Sequence, residues 1–340
     1  MARIRKNKED AWMPPRTYRG KSAYEFRPKN GGAIRLCGFE ASQAQVWTAY
    51  EALINDRKED NTLAGLVEAF FGSADFRALA KDTQSDYRKY SLKVLSVFGK
   101  MLPDALRPEH IRKYMDKRGL RSPTQANREK AFLSRVYRWA YERGMVKGNP
   151  TKGVRQFKEV ARDRYITDEE YAALYSVSPP VVQVAMELAY LCCARQKDVL
   201  EMTKSQFVAD GIMIKQSKTK VKQIKGWSDR LEAAVKLADT LPLKSGMSSI
   251  FVLHQTNGGK YTRDGFNSRW REAKATAKAT YPGMDLNFTF HDLKAKGISD
   301  LDGNAYEKQA IAGHKNVEQT INYDRKIKVV PVVGAQKSIK

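Results

Sequence analysis

Gly313-His314-Lys315-Asn316-Val317-Glu318-Gln319-Thr320-Ile321-Asn322-Tyr323 sets a histidine nine residues before a tyrosine. On one unbroken helix nine residues rise about 13.5 Å and end on opposite faces. If both side chains serve one site, the chain must bend between them. A tyrosine alone in so polar a run is ordinarily a surface or half-buried side chain. Upstream lies Thr289-Phe290-His291-Asp292-Leu293-Lys294. Thr289 followed three residues later by Asp292 is a capping-box pattern, so a helix starts here. Asp292 then has a structural job. His291 and Lys294 share one face near the positive helix N-terminus, a place that suits a phosphate oxygen. A capping or core histidine is the competing reading of His291.

Further back, residues 181–193 are nearly continuously apolar and read as a buried central helix. The run is too short to cross a bilayer and contains Gln183 and Glu187. Arg195 follows directly, and Asp198, three residues on, is spaced to hold its guanidinium. A plain structural ion pair would look the same. Residues 211–216 and 222–227 read as short strands around Ser217-Lys218-Thr219-Lys220, a hairpin. A lone hairpin lysine is usually just solvated. Beyond Lys326 the chain is rich in valine (Val329, Val330, Val332, Val333). That tail packs either on its own domain or on a neighbouring protomer.

The remainder divides in two. Residues 1–60 carry ten basic groups in their first 35 positions: Arg3, Arg5, Lys6, Lys8, Arg16, Arg19, Lys21, Arg27, Lys29 and Arg35. Tyr24/Phe26 and Ile34/Leu36 alternate with polar residues around a Pro-Lys-Asn-Gly-Gly turn, and an amphipathic helix follows from Ser42. Residues 61–160 read as all-helical, with Tyr87, Tyr90, Val94 and Phe98, then Ala126, Leu133, Val136, Tyr137 and Ala140, at helical spacing. Arginines and lysines crowd this segment, Arg121, Arg128, Lys130 and Arg135 among them. They suit a phosphate-tracking surface better than a merely solvated face. A basic linker to about Arg164 joins it to the last unit.

Across 340 residues, 61 Lys+Arg against 38 Asp+Glu leave a net charge of +23. That surplus excludes an acidic protein as the main partner and points to a phosphate polyanion or an anionic membrane. No clear amphipathic basic helix or lipidation signal supports the membrane, so nucleic acid leads. The three cysteines (Cys37, Cys192, Cys193) make no disulfide framework, which points to a reducing cytosol. The four histidines and three cysteines have no zinc spacing. Met-Ala-Arg-Ile-Arg-Lys at the start has no apolar core and is not expected to be a signal peptide.

Taken together, these positions resemble the tyrosine recombinases, and among them the lambda-type bacteriophage integrases. The likeness lies in an arginine after a buried helix, a hairpin lysine within Gln216-Ser217-Lys218-Thr219, a His-x-x-basic helix start, Gly-His, and a tyrosine nine residues later. Pro14-Pro15 and Tyr18 ahead of the first hairpin add to it. The resemblance implies a mainly α multidomain chain with small β-sheets: residues 1–60 an arm-type DNA-binding domain, 61–160 a helical core-binding domain, 161–340 a catalytic domain. It implies integration and excision of a phage genome by cutting and rejoining DNA through a 3′-phosphotyrosyl intermediate, without metal or cofactor. Tyr323 would be the nucleophile. Arg195, Lys294 and His314 would stabilise the phosphate, with His291 touching it or moving a proton. Lys218 would be the general acid, and Asp198 would orient Arg195. Arg3, Arg5, Lys6, Arg16, Arg19, Arg27 and Arg35 would hold arm-type DNA. Arg121, Arg128, Lys130 and Arg135 would hold core-type DNA. A homotetramer assembled on DNA in the bacterial cytoplasm is implied, with a host DNA-bending protein and an excisionase as further partners. Two departures stand out: Lys294 replaces the family's arginine, and Cys193 its usual glycine. A Xer-like resolvase and a non-cutting DNA-binding protein of the same fold are the alternatives. The N-terminal module argues against the first, and Lys294 is the main support for the second.

Overall fold

The structure, a computed structural model, describes residues 8–28, 32–217, 219–330 and 332–333. They fall into two compact units, Met1–Val160 and Ala161–Lys340. Both are mainly helical with small antiparallel sheets. Among the described residues no helix is long and apolar enough to cross a membrane.

In the first unit the expected hairpin is β2 (Ala23–Phe26) against β3 (Ile34–Gly38). A strand that alternation did not announce, β1 (Thr17–Arg19), pairs on the other side of β2, setting Thr17 opposite Phe26. Three residues are too few to show a period of two. Helix α1 (Gln43–Asp60) packs against β3, and Met13, Tyr24 and Val46 form a small core there. A second, larger core belongs to α2 (Leu63–Gly72), α3 (Ala74–Arg77), α4 (Lys81–Phe98), α5 (Pro108–Gly119) and α6 (Pro123–Tyr141). The residues read at helical spacing on α6 (Ala126, Leu133, Val136, Tyr137, Ala140) are all fully buried in it. Part of the arginine density here is internal structure. Arg118 grips buried Glu129 at 3.0 Å, and Tyr114 donates its hydroxyl to the same carboxylate at 2.6 Å.

The second unit is built around α8 (Pro180–Leu191), whose apolar run is buried nearly all round. Packed on it are α7 (Asp168–Val177), α10 (Asp229–Asp239), α11 (Arg263–Thr280) and α12 (Phe290–Asp300). Short α9 (Gln196–Leu200) follows α8. The second sheet has the order β4 (Phe207–Val208), β5 (Gly211–Lys215), β6 (Lys222–Gly226); β5 and β6 are the expected hairpin, pairing Lys215 with Lys222. Two short helices close the unit, α13 (Ala305–Ala312) and α14 (Val317–Tyr323). Val329, Val330, Val332 and Val333 stand exposed.

Candidate active site

Two helix ends of the same kind carry two of the site's side chains. Helix α8 stops in a left-handed turn: the Cys193 N–H donates to the Tyr190 carbonyl (3.2 Å) and the Ala194 N–H to that of Ala189 (3.0 Å). This pattern needs a residue at positive φ, usually glycine. Cys193 takes it at φ 49°. The chain then emerges extended at Arg195, which caps α9. Helix α13 ends in the same way. Gly313 sits at φ 66°, with the Gly313 N–H on Ala310 and the His314 N–H on Gln309. The turn is the bend that the nine-residue spacing demanded. It lets α14 fold back until the His314 and Tyr323 ring centroids lie 5.1 Å apart.

Helix α12 brings the remaining groups. Asp292 accepts from the Thr289 N–H (2.7 Å) and hydroxyl (2.8 Å), so the cap forms as its sequence pattern requires. Gly297 lets α12 lie close on α8, because a Cβ there would sit 2.3 Å from the Tyr190 carbonyl oxygen. One turn earlier, Lys294 is 1% exposed and donates from Nζ to the Cys193 carbonyl at 2.5 Å, with the Tyr323 ring face 5.9 Å away. The two departures from the family pattern therefore touch each other. His291 Nε2 lies 2.7 Å from the Tyr323 hydroxyl.

The electrostatics follow from crowding positive groups in little water. Burial, with Arg195 and Lys225 adding repulsion, pushes Lys294 down to about 8. Burial, then Lys294 and Arg195, pushes His314 down to about 4. His314 Nδ1 meets the Thr320 hydroxyl at 3.0 Å, whereas its buried Nε2 has no hydrogen-bond partner among the described residues. His291, open to solvent on one side, is held below its ordinary value by partial desolvation and by Lys294, Arg195 and Arg325, against Asp292. Desolvation holds the half-buried Tyr323 phenol above its ordinary value, and Arg195 and Arg325 pull it back in part. A cluster of cationic side chains of this kind, Arg195, Lys294 and Arg325, complements an anion.

Of the residues singled out from sequence, Arg195, His291, Lys294, His314 and Tyr323 come together. Asp198 does not do what was expected. Its Oδ1 accepts the Ser217 N–H at 2.9 Å, and Arg195 Nη1 instead donates to Gln216 Oε1 at 2.7 Å. The reason is that Gln216, one residue past β5, is buried and its Nε2 is already fixed on the Ala312 carbonyl at 2.8 Å, so its oxygen is a preset acceptor. Lys218, Arg3, Arg5 and Lys6 lie outside the described residues. Arg16, Arg19, Arg27 and Arg35 are exposed on the first unit, with Arg19 paired to Asp10 and Arg27 to Glu25. Arg121 and Arg128 are exposed, the latter near Glu159 at 3.3 Å; Lys130 and Arg135 are half-buried. Sequence reading missed Gln216 as a positioning group, and missed Ser299, Lys308 and Arg325. No three His, Cys, Asp or Glu side chains converge as a metal site among the described residues.

Residues 164–328 match the phage integrase family. The integrase of Enterobacteria phage 434 is 26% identical over 57% of this chain and 56% of its own length. That of Escherichia phage lambda is 25% identical over the same shares. The chain thus spans about half the length of the curated relatives it matches. A lambda integrase dimer bound to a COC′ core site superposes with a TM-score of 0.66 at 20% identity, over 95% of this chain and 99% of that one. A lambda integrase tetramer bound to a Holliday junction gives 0.66 at 19% identity, over 94% and 98%. From residue 164 to residue 328, just under half of its length, this chain is thus similar to the phage integrase family.

Proposed function

We propose that the chain is a site-specific DNA recombinase of the integrase kind, and that Tyr323 is its nucleophile. The observation that carries the reading is the 2.7 Å contact between His291 Nε2 and the Tyr323 hydroxyl, beside Arg195, Lys294 and His314. Tyr323 Oη attacks a phosphodiester, the bond to the 5′-oxygen breaks, and a 3′-phosphotyrosyl link keeps the bond energy for rejoining. His291, held below its ordinary value chiefly by desolvation, takes the phenol's proton. Arg195, Lys294 and the unpartnered His314 Nε2 receive charge on the equatorial oxygens. Lys218 is the candidate acid for the leaving 5′-oxygen. Residues 1–60 serve arm-type sites and 61–160 core-type sites, and four protomers supply the active sites that exchange requires. A host DNA-bending protein and an excisionase are the accessory partners this reading allows. Covalent capture tests it. A nicked attachment-site duplex should give a denaturation-resistant adduct, undiminished in EDTA and absent from Tyr323→Phe. Equal adduct from wild type and Tyr323→Phe would sink it.

The bond from Lys294 to the Cys193 carbonyl favours a second reading, a DNA-binding protein that does not cut. In that case only a variant such as Lys294→Arg should form adduct, and robust adduct from the natural sequence eliminates it.

A further inference from the structure

Tyr323-Asp324-Arg325 is held residue by residue. Ser299 Oγ, 4% exposed as a residue, donates to the Tyr323 carbonyl at 3.1 Å and accepts the Arg325 N–H at 2.8 Å. Lys308 is 3% exposed and reaches both the Ser299 carbonyl and Asp324 Oδ2, each at 3.1 Å. The Arg325 side chain, 9% exposed, donates from Nη1 to Asp292 Oδ1 at 2.6 Å and to the Arg164 carbonyl at 3.1 Å. Asp292 follows His291 in the chain. Two consecutive residues of α12 therefore grip two positions of the last segment: His291 the Tyr323 hydroxyl, Asp292 the Arg325 guanidinium. The same Asp292 carboxylate also holds the α12 N-terminus through Thr289. Without Arg325, Asp292 would keep its cap, but among the described residues no other cation of the segment after Tyr323 pairs with it.

We propose that Ser299, Lys308 and Arg325 form a latch that fixes the tyrosine against His291, with Arg325 its principal positioning residue. The latch itself is a property of the fold; its catalytic consequence rests on Tyr323 being the nucleophile. None of the three residues touches the reacting atoms. They act by fixing the backbone on which the phenol is carried, and a misplacement of about 1 Å can lower a rate about a hundredfold.

The test compares the full chain with Arg325→Gln and Arg325→Lys by amide hydrogen exchange, DNA binding and adduct formation. Arg325→Gln should speed exchange of the Asp324 and Arg325 amides about tenfold or more, the effect of losing one charge-assisted hydrogen bond, with the α8 amides unchanged. DNA affinity should hold, adduct formation should fall about a hundredfold, and Arg325→Lys should recover part of both effects. Unchanged exchange overturns the latch, and so does accelerated exchange spread through the whole second unit, which would make Arg325 a general fold residue. Adduct formation close to wild type despite localised exchange overturns its catalytic role. If the wild type forms no adduct while exchange behaves as stated, the latch stands and the recombinase reading fails.

Discussion

Lys294 keeps a positive charge where burial opposes one, and three consequences at residue scale follow from that crowding. Its ammonium loses its proton near pH 8 instead of near 10.5. Single-turnover cleavage should therefore decline above about pH 8, even though higher pH helps ionise Tyr323; Lys294→Arg should shift that decline upward. The sign for stability is separate. The unfolded lysine holds its proton more tightly, so the penalty on the folded state is complete below pH 8 and fades as pH rises toward 10.5. Lys294→Met should thus raise stability at pH 7 by about 2 kcal/mol in denaturant titration while abolishing adduct formation. His314 points the opposite way along the pH scale. Its folded value is about 4 against 6.5, so stability is whole above 6.5 and drains as pH falls toward 4, by up to about 3 kcal/mol. His314→Gln should flatten that acid limb of the thermal-melting curve. Arg195, His291, Lys294 and His314 each stand beside a local signal, a helix end, a cap or a Gly-His pair, but it was the resemblance to a family that grouped them with Tyr323 as one site. Gln216, Ser299, Lys308 and Arg325 carry no such signal. The partners that give them their roles, Arg195 and Ala312 for Gln216, Tyr323 for Ser299, Ser299 and Asp324 for Lys308, Asp292 and Arg164 for Arg325, lie 9 to 161 positions away, and only folding brings them close. Asp198 was misread for the same reason, since i,i+3 spacing could not know that Gln216 would reach Arg195 first.

At the scale of elements, the site depends on two helix terminations of one design. Gly313 supplies the second without strain. A Cβ there would also lie 2.3 Å from Gln216 Nε2 and 2.8 Å from Gln223 Oε1. Gly313→Ala should destabilise the chain by about 1–2 kcal/mol from the left-handed turn alone, with a further loss from the displaced amides. Comparing its melting with that of Cys193→Gly, which relieves φ 49°, separates the two ends. Helices α8 and α12 were readable in advance because an apolar run and a capping box are local patterns. Strands β1 and β4 were not, since three and two residues hold too little alternation to register.

Over the whole molecule, the +23 surplus is not one reservoir. Some of it is tied up inside, as in Arg118 with Glu129, Lys296 with Asp168 and Asp300, and Lys308 with Asp324. The exposed remainder, including Arg16, Arg35 and Arg121, should hold phosphates without reading sequence. Affinity for duplex should then fall steeply with salt, and changing to alanine an arginine that contacts a phosphate should lower the slope of log K against log salt by about 0.9. Binding that is flat in salt would contradict this division. One feature also constrains how the parts move. The last carbonyls of α13 are taken up by hairpin side chains, Ala310 by Gln223, Ile311 by Lys225 and Ala312 by Gln216. The hairpin is therefore bolted to the floor of the site along β6 and at Gln216. Loosening any one of these three side chains should therefore be felt at His314, two residues past the last carbonyl they hold.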